Sequence, residues 1–264
     1  MQLPHILVDD DTLVAFNKPS GVSVVAEKAG KSSQSLMRWV HERFGPAVAN
    51  VHRLDAETSG VLLCAKTKPS LDFLSGQFQS KTVRRTYHGL VVLLPADDPG
   101  IVAPELRSES GVLPAAFTVD LALGEDEHQV GRMRVFRRRG GKPAVTQVRI
   151  LESFGRFAWV ECRPLTGRTH QVRAHLAAAG APLLNDDVYG DPATVLLLSD
   201  IKRHYKGRDE ERPLITRLAL HASGLGIVHP ESQLPMEITA PMPTEFEIAL
   251  KYLRKFAGPV RPGR

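Results

Sequence analysis

Short apolar runs separated by turn residues dominate the first part of the chain. Ile6-Leu7-Val8 and Leu13-Val14-Ala15-Phe16 flank the acidic turn Asp9-Asp10-Asp11 and are predicted to pair as a hairpin. Lys18-Pro19-Ser20-Gly21 ends the second strand with turn chemistry. Residues Gln34–Phe44 switch to helical spacing, with Leu36, Met37, Val40 and Phe44 on one face and Ser33 or Ser35 available as the cap. Val61-Leu62-Leu63-Cys64-Ala65 is a continuous apolar run and reads as a buried strand. Ser70–Gln79 returns to helical spacing through Leu71, Phe73, Leu74 and Phe78, and Thr86–Leu94 is again strand-like.

Residues 97–140 are the least regular part, with prolines, glycines and the acidic patch Glu125-Asp126-Glu127. Pro143–Leu151 and Phe157–Arg163 alternate as paired antiparallel strands, with Ser153-Phe154-Gly155-Arg156 turning between them. Thr169–Ala179 is predicted as a helix stopped by Gly180 and Pro182. A polar insertion at Asp200–Pro213 precedes predicted strands at Leu214–Ser223 and Leu225–Val228, and Glu245–Phe256 closes the pattern as a helix. No internal repeat or long linker interrupts it. Many strands, few helices and no β-α-β rhythm predict an α+β fold around a mixed, mostly antiparallel sheet with flanking helices. The reading expects one domain over residues 1–257 and a flexible tail over 258–264.

Composition narrows the function classes. The 264 residues carry 42% hydrophobic and 24% charged side chains, an ordinary globular balance with room for a substantial core. The net charge of +5 is mild. Its distribution is more telling, because basic residues bunch at Lys81–Arg85, Arg132–Lys142, Arg163–Arg173 and Lys202–Arg212. Such clusters suit a ligand with a phosphate backbone. Cys64 and Cys162 lie in apolar runs and read as small buried hydrophobes. The first residues lack a signal-peptide pattern and no run approaches membrane-spanning length, so the expectation is a soluble cytoplasmic protein without a membrane partner. CxxC, HExxH, P-loop, GxGxxG and Gly-x-Ser-x-Gly patterns are all absent, so neither a metal nor a nucleotide cofactor is expected.

Three constellations carry chemistry. Asp55 closes His52-Arg53-Leu54-Asp55 just ahead of the buried strand, where the ordinary reading of an aspartate is a turn residue. In Leu165–Arg173 a glycine turn opens a helix whose first turns carry Arg168, His170, Gln171 and Arg173. Cations at a helix N-terminus oppose its dipole and call for an anionic partner. Arg173 lies beside the apolar positions Val172 and Leu176, so it needs a carboxylate, for which Asp55 is the candidate. Arg84-Arg85-Thr86-Tyr87 places an aromatic ring behind two arginines, a pattern that suits base stacking as well as a core tyrosine. Arg137-Arg138-Arg139 reads as a solvated face and His221 as a core or rim histidine.

Together these segments resemble the RluA-type family of pseudouridine synthases. The resemblance rests on AFNKPSGVSV at Ala15–Val24, VHRLDAETSGVLLCAKT at Val51–Thr67, RTYHGLV at Arg85–Val91 and GKPAVT at Gly141–Thr146. RPLTGRTHQVRAHLAAAGAPLLNDDVYG at Arg163–Gly190 and RPLITRLALHASGLGI at Arg212–Ile227 complete it. It implies a sheet with a central active-site cleft, and an enzyme that isomerises uridine in structured RNA, ribosomal or transfer, without metal or cofactor. By position it implies Asp55 as the catalytic aspartate, Tyr87 as the aromatic against the base and Arg173 as the salt-bridge partner of Asp55. Arg53 would fill the gap left by the extruded nucleotide. Lys18, His52, Arg85, Arg168, His170 and Gln171 are the further expected RNA contacts. The small N-terminal S4 module of many members is expected to be absent, a monomer is the default, and the departure at Asn185-Asp186-Asp187 is expected to touch only a loop. Attack at C1′, addition at C6 and proton removal from C2′ all remain open for Asp55. Two other classes compete: a non-catalytic RNA-binding module, and a hydrolase pairing Asp55 with Glu57.

Overall fold

The computed structural model describes residues 4–25, 35–108, 111–205, 207 and 210–258. Gln34, the Ser33 alternative cap, part of the 200–213 insertion and all but Gly258 of the expected tail therefore lie outside the described residues. In chain order the first strands are β1 (His5–Asp9), β2 (Leu13–Lys18), β3 (Ala49–Asn50), β4 (Ser59–Ala65), β5 (Arg84–Val92) and β6 (Ala116–Asp120). They are followed by β7 (Ala122–Glu125), β8 (Met133–Phe136), β9 (Val145–Phe154), β10 (Phe157–Pro164), β11 (Leu220–Val228) and β12 (Pro235–Thr239). The helices are α1 (Leu36–Phe44), α2 (Lys68–Gln79), α3 (Gln171–Ala178), α4 (Leu198–Ile201) and α5 (Thr244–Tyr252). No helix among the described residues is long and apolar enough to cross a membrane.

The chain divides into two compact units: Met1–Tyr87 with His221–Pro241, and His88–Leu220 with Met242–Arg264. In the first unit β1, β2, β4 and β11 lie side by side, with β3 on β4 and β12 on β11. The β4–β11 pair is parallel, while β1–β2, β2–β4, β3–β4 and β11–β12 are antiparallel, so the sheet is mixed. Its central strands explain their own sequence. Leu13 and Ala15 of β2 and Val61, Leu63 and Ala65 of β4 pack with Leu74 of α2. Val14, Phe16, Leu62 and Cys64 point the other way, onto Leu36, Met37 and Val40 of α1. A strand covered on both faces has no polar side to show, hence the unbroken run Val61–Ala65. Ser35 caps α1 by accepting from the Arg38 N–H at 3.3 Å, and Thr67 caps α2 by accepting from Ser70 N–H at 3.3 Å.

In the second unit β10, β9 and β6 form an antiparallel ladder, and β7–β8 is a separate two-stranded hairpin. Trp159, Phe154 and Phe157 pack with Phe246, Ala249 and Leu250 of α5. The α+β expectation and its mostly antiparallel sheet are borne out. Two local readings are corrected: the region read as least regular, 97–140, contains β6, β7 and β8, and Leu214–Ala219 is not a strand. β6, β7, β8 and β12 are short segments whose exposed positions mask the alternation. Both cysteines are buried as expected, and burial pushes the Cys64 thiol up to about 12.

Candidate active site

Asp55 stands in the loop that feeds β4. The turn is closed by Thr58 N–H donating to the Asp55 carbonyl at 3.1 Å, with Leu54 and Thr58 buried on either side. Ala56, the next residue, is held by the Lys18–Gly21 turn: its carbonyl accepts from Gly21 N–H at 2.9 Å and from the Lys18 ammonium at 2.7 Å. The Ser20 hydroxyl donates to the Glu57 carbonyl at 2.6 Å. Lys18 is 0% exposed, and its remaining N–H groups reach Pro19 O at 2.9 Å and Val22 O at 2.8 Å. Gly60 then passes so close to β11 that a Cβ would lie 2.1 Å from the Ala222 carbonyl, and its φ is +115°. Only glycine fits there. Alongside, the Ser59 hydroxyl and His221 Nδ1 are hydrogen-bonded at 2.8 Å, which matches the core-histidine reading of His221.

Three side chains flank this loop within the same unit. His52 Nε2 accepts from Leu63 N–H at 3.1 Å, and its ring stacks on Phe78 at 5.0 Å. Burial, followed by the charge of Arg85, lowers its pKa to about 4 against a raising backbone hydrogen bond at Arg53. The imidazole is therefore neutral near pH 7. Arg53 itself is exposed. Burial pushes the Tyr87 phenol up; Arg85 opposes that shift and the carboxylate of Asp55 adds to it. Burial likewise lowers Arg85. Tyr87 thus feels both Arg85 and Asp55 electrostatically.

In the second unit the Thr166–Gln171 turn opens α3. His170 adopts φ +53° at the cap position without a side-chain cap bond, and its Nδ1 lies 3.2 Å from the Tyr189 hydroxyl. Gln171 supplies what the cap does not. Its carboxamide oxygen accepts from the Thr166 hydroxyl at 2.8 Å and Arg168 N–H at 3.0 Å, and its NH2 donates to Val145 O at 2.9 Å and Thr146 Oγ1 at 3.0 Å. Arg168 Nε donates to Pro143 O at 3.2 Å. Two residues past Gln171, Arg173 is 4% exposed and grips Asp186 in a fork, with Nε to Oδ2 at 2.8 Å and Nη2 to Oδ1 at 2.7 Å. Among the described residues no group of three or more His, Cys, Asp or Glu is arranged to hold a metal ion.

The sequence matches the profile of RNA pseudouridylate synthases over residues 12–178, more than half of the chain. Over 95% of its length it is 33% identical to an uncharacterized RNA pseudouridine synthase of Synechocystis, covering 69% of that protein. The chain belongs to the RNA pseudouridylate synthase family. It is also 35% identical, over 96% of its length, to ribosomal large subunit pseudouridine synthase D of Neisseria meningitidis, and spans 62% of that relative. The fold agrees with human RNA pseudouridylate synthase domain containing 1, at a TM-score of 0.64 over 91% of this chain and 84% of that one, with 24% identity.

Within this family member the expected site residues sort into two groups. Asp55, Arg85 and Tyr87 occupy neighbouring positions in the first unit, while Arg168, His170 and Arg173 cluster around the start of α3 in the second. Three expected RNA contacts are already engaged within the protein. Lys18 is a buried tether with its N–H groups on carbonyls. His52 is a neutral acceptor for the β4 backbone. Gln171 has both lone pairs and both protons engaged inside the protein. Asp186, read from sequence as part of a variable loop, is 1% exposed and anchors Arg173. The signal was available: a buried arginine requires a carboxylate, and Asp186 also accepts from Val188 and Tyr189 N–H at 3.0 and 3.1 Å, the local turn an aspartate favours.

Proposed function

We propose that the protein isomerises uridine in structured RNA to pseudouridine, with Asp55 as the reactive carboxylate. Family membership supports the reaction class, and one observation carries the assignment: Asp55 sits on a turn fixed from below by Lys18 and Ser20, close enough to Tyr87 to raise its phenol. The reaction breaks the N-glycosidic bond, turns the uracil and forms a carbon–carbon bond to C5. Its target atoms are shielded in a stacked helix, so the nucleotide must first be extruded, at roughly a few kcal/mol. Exposed Arg53 suits the gap left behind, and Tyr87 suits the face of the extruded base. Arg173 is the proposed salt-bridge partner of Asp55, the cation that orients its carboxylate. Arg85, Arg168 and His170 are the remaining proposed RNA contacts. The names of the Neisseria relatives favour large-subunit ribosomal RNA as the substrate. A cytoplasmic monomer is the default reading for the protein that acts on it.

The test is Asp55→Asn, which keeps shape and removes the ionisable oxygen. It is expected to bind RNA within about twofold of the parent while forming no pseudouridine, because only a transition-state interaction is lost. Appreciable turnover would sink the assignment. Release of free uracil by the parent would favour a hydrolase instead.

A further inference from the structure

We propose that Asp186 is a positioning residue for the reaction, acting through Arg173. The inference rests on the reading of Arg173 as the cation that serves Asp55. An arginine side chain has many rotamers, and that freedom must be removed before it can act at one place. Here it is removed in advance. Asp186 engages the Nε–Nη2 edge of the guanidinium in a two-point fork. Such a fork fixes the plane of the group as well as its position, and directs the Nη1–Nη2 edge to any second carboxylate.

Asp186 is itself immobilised. Its Oδ1 accepts from Val188 N–H and Tyr189 N–H, its carbonyl accepts from Gly190 N–H at 2.9 Å, and its N–H donates to Leu183 O at 3.3 Å. Asn185, immediately before it, takes φ +58° and donates its NH2 to Ile215 O at 2.9 Å and Arg217 O at 3.0 Å. A Cβ at Gly190 would lie 2.9 Å from the Asp186 carbonyl, so the turn closes only around glycine. Tyr189 adds its ring 5.5 Å from the guanidinium carbon. Asp187 makes the natural control. Its Oδ1 lies 3.4 Å from the same Nη2, but its side chain is 79% exposed, so it holds nothing in place.

The experiment measures single-turnover pseudouridine formation on a large-subunit rRNA transcript at saturating enzyme, normalised to the folded fraction by circular dichroism, together with RNA affinity. Asp186→Asn is expected to slow the step about ten- to a hundredfold, with RNA affinity within about twofold, as displacement of a positioned group does. Asp187→Asn is expected to match the parent. Arg173→Lys keeps the charge and loses the fork. Because Asp186 acts through Arg173, the double variant Arg173→Lys with Asp186→Asn should be no slower than the worse single variant. Losses that multiply, or an Asp186→Asn rate equal to the parent's, would overturn the proposal. Should Asp186→Asn fail to fold, Asp186→Glu keeps the charge and moves the fork by one methylene; a rate at least tenfold down supports positioning and a parental rate refutes it. If the parent chain itself makes no pseudouridine, the functional reading has failed rather than this one.

Discussion

His52 and Arg53 are neighbours in sequence and end in opposite environments. The ring of His52 is turned inward to take the Leu63 N–H, whereas Arg53 faces solvent. His175 repeats the inward choice in the second unit, with Nδ1 2.9 Å from Thr146 Oγ1, Nε2 2.9 Å from Leu121 O, and a pKa lowered to about 4 chiefly by burial. Both histidines ionise near 6.5 when unfolded. As pH falls below that value the unfolded chain takes up protons that the folded protein refuses, so stability declines until about pH 4. Asp10 extends the loss. Burial would raise its carboxyl, but hydrogen bonds from Thr12, Leu13 and His229 lower it from 3.8 to about 2. Its contribution is complete above 3.8 and disappears as pH falls through 2. Unfolding free energies from urea titrations at successive pH values should fall steadily from pH 6.5 to 4, by a few kcal/mol in total. His52→Gln should flatten part of that slope. A flat profile in the parent would contradict the buried, neutral state of both rings. Asp55, Tyr87 and Arg173 could be singled out from the sequence because their residue types and neighbours are distinctive. The burial of Lys18, His52 and Gln171 was not, because each depends on carbonyls or amides from segments distant in sequence.

At the scale of elements, the Lys18–Gly21 turn and the Asp55 loop behave as one piece. Lys18→Met should remove one buried donor from three carbonyls and cost about 3 kcal/mol. With the loop untethered, kcat should fall at least about tenfold while RNA affinity stays within about twofold, since geometry rather than contact is lost. Thermal unfolding and steady-state kinetics on the same RNA check both halves; unchanged kcat would show that the tether is dispensable for Asp55. Elements with a continuous or helical apolar pattern, such as β4, α1 and α2, were readable. The hairpin β7–β8 was not. Its strands are four residues each, its core partners are Ala144 and Ala174 from elsewhere in the chain, and its Arg-rich flank conceals the pattern. β12 was missed for a related reason: only Ile238 of its five residues is buried.

For the whole molecule, charge says more about kinetics and affinity than about fold. A net +5 spread over separate basic clusters is too weak to define a nucleic-acid protein, yet it is enough to make RNA binding electrolyte-sensitive. If six or more phosphates are neutralised, affinity should drop by about 10³ between roughly 50 and 200 mM salt. Filter binding on an rRNA transcript across that range measures the slope, and a salt-independent affinity would argue against backbone contacts. The buried ammonium of Lys18 lies outside this screened population. An exposed lysine such as Lys68, with its side chain 75% open, can be acylated or methylated and so have its charge adjusted after synthesis. Lys18 offers no accessible nitrogen while the fold persists. Its positive charge is a permanent fixture beneath the Asp55 loop, beyond the reach of the modifying enzymes that tune surface amines.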